Sequence, residues 1–133
     1  MNRLMTFFLL VVVASAGYSQ EPTRWRGETQ NGIFQESGLL KSWPVEGPEI
    51  HWSYEGLGQG HSSVAVSGGY VYTAGMIAET GILFKFDMQG KLVWKEAYGP
   101  EFTSSYTGSR GTPVIVGDKI YMVSGEGKVY CID

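Results

Sequence analysis

A chain of 133 residues, 43% apolar and 17% charged, has the length of about one domain and enough apolar side chains for a core, which excludes a disordered tail. Its formal charge is −3 and no Lys/Arg cluster occurs, so nucleic acid has no electrostatic footprint on it. One cysteine, Cys131, excludes an internal disulfide and a cysteine-built zinc site, and two histidines put a multi-histidine metal site out of reach.

In chain order, residues 1–20 read as a signal peptide. Arg3 supplies the positive start, Phe7 to Val13 is an unbroken apolar run, and Ala14-Ser15-Ala16 is a small-residue cleavage signature. Cleavage is expected after Ala16 or near Gln20. The run is too short to span a bilayer, so the mature chain is expected to be exported, periplasmic or secreted, with no membrane span. Residues 21–48 show no strand alternation and read as an irregular lead-in, with Trp25, Leu39, Leu40 and Trp43 as buried anchors. Burial of each such side chain is worth roughly 1.5–3 kcal/mol.

Residues 49–133 read as strands. Glu49 to Tyr54 alternates and is rich in β-favouring residues, which predicts a Trp-bearing strand. A loop from Leu57 to His61 leads to predicted strands at Ser63–Val66, Tyr70–Ala74 and Ile82–Asp87, then one from Leu92 through Trp94. Gly68-Gly69 is a two-residue hairpin signal, and Met88 to Lys91 makes the next turn. Pro100 to Ser109 is a polar loop.

Much of this pattern recurs. Gly111 to Tyr121 overlays Ser62 to Tyr72 at a spacing of 49 (121 − 72), and Lys128 to Asp133 overlays Ile82 to Asp87 at 46 (133 − 87). The loop inside the second copy, at Glu126-Gly127, is therefore three residues shorter (49 − 46). A repeat of about 40–50 residues built only of strands is the signature of a β-propeller blade. The expected fold is all-β: one complete four-stranded blade and most of a second. Glu49 to Tyr54 is expected to close the ring by completing the last blade. Since at least four blades close a propeller, the chain is expected to be the N-terminal fragment of a longer protein.

The turn from Asp87 to Trp94, Asp-Met-Gln-Gly-Lys-Leu-Val-Trp, resembles the blade signature of the PQQ-like (pyrroloquinoline quinone) propeller repeat, whose pattern is roughly Ala-x-Asp-x-x-Thr-Gly-Lys-x-x-Trp. Asp87, Gly90, Lys91 and Trp94 match; Lys85 stands at the Ala position and Gln89 at the Thr position. Gly90 permits a positive φ, Asp87 caps turn amides, and Trp94 is expected to dock between blades. The lead-in, with Trp25-Arg26-Gly27, Asn31-Gly32-Ile33 and Trp43-Pro44, is also similar to secreted members of that family, some of them labelled polyvinyl-alcohol-dehydrogenase-like. The resemblance implies a binding or scaffold module in the cell envelope. Its partners would be the remaining propeller blades and an envelope protein or small-molecule ligand. The alternative it implies is the N-terminal part of a PQQ-dependent alcohol dehydrogenase, with PQQ and Ca²⁺ as cofactors of the full-length protein.

No catalytic or metal residue maps onto the chain by motif, so catalysis is not expected from these residues alone. One pair of candidate ligand-binding residues emerges from the repeat itself. His61 and Arg110 occupy the same repeat position (110 − 61 = 49), just before the innermost strand. In a propeller that position faces the mouth of the central channel, where two donors would bind an anionic group such as a quinone carboxylate. The competing reading is that both side chains satisfy loop carbonyls. Cys131, at the repeat position of Lys85, is expected to be partly exposed and without a redox role.

Overall fold

The computed structural model describes residues 23–27 and 29–133. The signal peptide expected at residues 1–20 lies outside them. The fold is all-β: every helix or strand element among the described residues is a strand. β1 (Ala65–Ser67), β2 (Tyr70–Ile77), β3 (Thr80–Asp87) and β4 (Leu92–Pro100) form one antiparallel sheet in sequence order. β5 (Val114–Val116), β6 (Lys119–Val123) and β7 (Val129–Ile132) form a second.

Turn chemistry explains the hairpins. Gly68 and Gly69 have φ of 58° and 78°, the left-handed pair a tight hairpin requires. At the β3–β4 turn, Asp87 Oδ1 accepts the amides of Gln89 at 3.0 Å and Lys91 at 2.9 Å, and Gly90 has φ 82°. The same arrangement recurs between β6 and β7. There Ser124 Oγ accepts the Lys128 amide at 3.3 Å and Gly127 has φ 78°. The β2–β3 turn is different: Ala78 and Glu79 take φ of 48° and 66° without the freedom of glycine. Replacing Ala78-Glu79 by Asn-Gly is therefore expected to raise stability by about 1 kcal/mol. Chemical denaturation reads this directly, and a lowered midpoint would contradict it.

β1 begins later than the predicted Ser63–Val66. Thr73 Oγ1 donates to Ser63 O at 3.1 Å, so a side chain replaces the ladder at that point. The ladder resumes upstream, where Gln59 and Met76 exchange two backbone bonds of 2.9 and 2.7 Å. Gly75 lies beside this junction; a Cβ there would sit 1.9 Å from Leu57 O, so only glycine lets the two backbones approach.

Two corrections concern the first part of the chain. Glu49 to Tyr54 forms no strand. It lies across one face of the first sheet, where Trp52, Tyr54 and Leu57 pack on Val71, Phe84 and Phe86. The Trp52 indole N–H donates to Met88 O at 3.2 Å. Its alternation is real, with His51, Ser53 and Glu55 turned to solvent, but it answers to a face and not to a ladder partner. The second correction is the set of anchors. Trp25, Leu39, Leu40 and Trp43 are 63–72% exposed. The lead-in makes mostly local turns, and Thr23 pairs with Ile115 at its start. With no ladder of its own, the lead-in gains no second layer from the described residues.

The main core lies between the two sheets. Ala65, Tyr72, Ala74, Leu83 and Tyr98 of the first meet Ile115, Ile120 and Met122 of the second. Trp94 packs against this cluster, with its ring 6.4 Å from Tyr72.

Candidate functional site

The two repeats meet through equivalent residues. Gly60 and Ser109 form a parallel bridge, and the His61 amide donates to Ser109 O at 2.7 Å. Ser62 Oγ donates to Gly111 O at 2.7 Å, and Thr112 Oγ1 accepts the Ser63 amide at 3.2 Å. In the bridge and in both side-chain bonds the partners are 49 residues apart (109 − 60, 111 − 62, 112 − 63). The period read along the chain is thus a physical juxtaposition: one unit stands beside the next with like positions in line.

That alignment brings His61 and Arg110 together. With Tyr106 they line a shallow cavity of about 320 Å³, His61 standing before β1 and Arg110 before β5. The guanidinium of Arg110 lies 4.5 Å from the centre of the Phe102 ring, a cation–π contact. One terminal nitrogen, Nη2, donates to Ser105 O at 2.7 Å and Tyr106 O at 3.0 Å. So one nitrogen of the fork organises the 102–109 loop. Nη1 and Nε make no hydrogen bond among the described residues. The His61 imidazole is exposed and likewise makes none. Tyr106, 82% exposed with φ 49°, is the lining residue that sequence reasoning missed. Its repeat counterpart is Leu57 (106 − 57 = 49), so the period gave no signal for it.

The chain leading into this loop carries a buried polar node. Glu101, 1% exposed, accepts a hydrogen bond from the Tyr98 hydroxyl through Oε1. Through Oε2 it accepts the Gly125 amide at 2.6 Å, which ties β4 to the second sheet. Burial, then the hydrogen bond to Glu101 and that group's charge, push the Tyr98 hydroxyl pKa far above the usual tyrosine value. Ser109 Oγ is buried nearby without a partner among the described residues. The polar loop gave no sequence signal for this node, because a lone carboxylate after a strand reads as a surface residue.

The repeat-signature residues hold the scaffold: Asp87 and Gly90 make the turn and Trp94 joins the main core, while Lys91 is exposed and gives its amide to Asp87. Asp133 pairs with Lys119 at 2.5 Å. Cys131 is exposed. Among the described residues, no three His, Cys, Asp or Glu side chains gather as metal ligands. No helix among them is long and apolar enough to cross a membrane. No protein family, curated protein or solved structure matches the chain.

Proposed function

We propose that the chain is part of an exported propeller of the PQQ-like repeat class, acting in the cell envelope as a binding module. Its ligand site is the His61–Arg110 mouth, which takes a small anionic group. The observation that carries this reading is the side-by-side alignment of residues 49 apart, which is how radially arranged blades meet. It sets two donors of like repeat position around one opening.

The outer face of the second sheet supports the same reading. Val123 and Val129 are 50% and 71% exposed, and Tyr121 is partly open beside them. These are the repeat counterparts of Ala74, Leu83 and Tyr72, which the first sheet buries against the second. A further repeat unit would cover that face as the second unit covers the first. A second copy of the same chain does not fit as well, because the outer face of the first sheet already carries Trp52, Tyr54 and Leu57.

The dehydrogenase alternative needs calcium ligands and a base, and the described residues do not bring such a set together. PQQ is nevertheless the natural probe, since its carboxylates match the donors at the mouth. Titrated calorimetrically into the exported protein, it is expected to bind about tenfold or more weakly once His61 and Arg110 are both alanine. Unchanged affinity in a folded double variant, or no binding of PQQ to the parent protein, would remove the proposed site.

A further inference from the structure

We propose a second ligand site, at the opposite end of the innermost strands: a cleft around Lys85 that takes a small organic carboxylate with a flat apolar body. The cleft has a volume of about 540 Å³ and opens between the sheets beside the Gly68-Gly69 and Gly117-Asp118 turns. Volumes of about 300–1,000 Å³ are usual for small-molecule sites.

Lys85 sits in a row of cross-strand neighbours, between Tyr72 on β2 and Trp94 on β4. Its Nζ lies 3.9 Å from the centre of the Tyr70 ring, 5.5 Å from that of Tyr72 and 5.9 Å from that of Trp94. Three aromatic faces hold the ammonium by cation–π attraction but give its N–H groups no oxygen. Among the described residues Lys85 makes no ion pair; those present are Lys119–Asp133 and Lys128–Glu126. Asp87, opposite Tyr70, spends Oδ1 on the turn amides. A half-buried cation thus lines the cleft without an ion-pair partner among the described residues.

The repeat does not demand this arrangement. Cys131 stands at the position of Lys85 (131 − 85 = 46) and Lys119 at that of Tyr70 (119 − 70 = 49). The cage is private to the first unit, at the position where the family pattern carries alanine. Its own lysine fills the aromatic faces, so a cationic ligand is turned away. Lys85 is the only charged side chain lining the cleft among the described residues, so the complementary ligand is an anion. Ile115, on the other sheet, supplies an apolar wall that suits a flat apolar body beside the lysine.

Benzoate is the probe. Titrated into the full chain, it is expected to produce saturable NMR shifts at the Lys85 ε-methylene and the Tyr70 ring. Binding should weaken about tenfold or more in Lys85→Met, which keeps the length and loses the charge. It should persist in the His61→Ala/Arg110→Ala variant, so this site and the mouth are judged separately. Uncharged benzamide should not compete. Absence of a saturable shift, equal affinity in a folded Lys85→Met, or equal binding of benzamide would each overturn the proposal. The benzamide comparison needs no variant and holds even where Lys85→Met does not fold.

Discussion

Phe84→Ala is expected to lower the unfolding free energy by about 3–5 kcal/mol, the range for deleting a large aromatic side chain from a packed interior. Phe84 is fully buried. It stacks against Phe86 with ring centres 6.2 Å apart and meets Tyr54 at 6.1 Å. The loss would have two sources: the transfer of the ring and a cavity between sheet and strap that neither side can close. Trp43→Ala supplies the contrast. Trp43 is larger than Phe84 but exposed, so its removal should change stability by no more than about 0.5 kcal/mol. Denaturant midpoints on the two variants test the layering directly. A costly Trp43→Ala with a mild Phe84→Ala would mean that the lead-in, and not the 51–57 strap, supplies the second core.

Glu101→Ala is the second large effect, a loss of about 2–4 kcal/mol. It removes two charge-assisted hydrogen bonds and strands the Tyr98 hydroxyl and the Gly125 amide, while relieving the desolvation of a carboxylate. Glu101→Gln should cost far less. Its carbonyl can accept the Gly125 amide and its NH₂ can donate to the Tyr98 oxygen once that hydroxyl turns. Equal losses for Ala and Gln would show that charge, and not satisfied bonding, holds the node.

The same node sets a pH dependence. The Tyr98 pKa is raised in the folded state, so its contribution is complete below the unfolded value of about 10 and is lost as pH rises above it. The unfolded chain releases that proton first. Stability should therefore fall by about 1.4 kcal/mol per pH unit above pH ~10 from this group alone. Comparison of the parent protein with Tyr98→Phe separates this slope from that of the other tyrosines. Parallel alkaline curves would contradict it.

The hairpins were legible residue by residue because their causes are local. Gly68-Gly69 must turn, since two adjacent residues with positive φ admit little else. Asp87 must cap, since its carboxylate reaches its own turn amides. The Lys85 cage was half visible: the sequence marked Lys85 as a departure from the family pattern, but the three rings around it come from the two strands that flank β3. Trp52 shows the limit most clearly. Its alternating neighbourhood predicts a face turned inward, and the face is turned inward, yet the pattern could not say whether a ladder or a bare sheet face would receive it.

By itself, then, the sequence determined the all-β class, the turns and the 49-residue period, because each depends on backbone preferences and spacing within a few residues or on self-comparison. Only the tertiary structure decided which apolar residues are covered. Trp25, Leu39, Leu40 and Trp43 have the composition of a core and stay exposed among the described residues, while Glu101 has the composition of a surface and is buried between the end of β4 and the β6–β7 turn. Burial is a property of what another segment brings to a side chain. No local pattern encodes it where the chain forms no ladder.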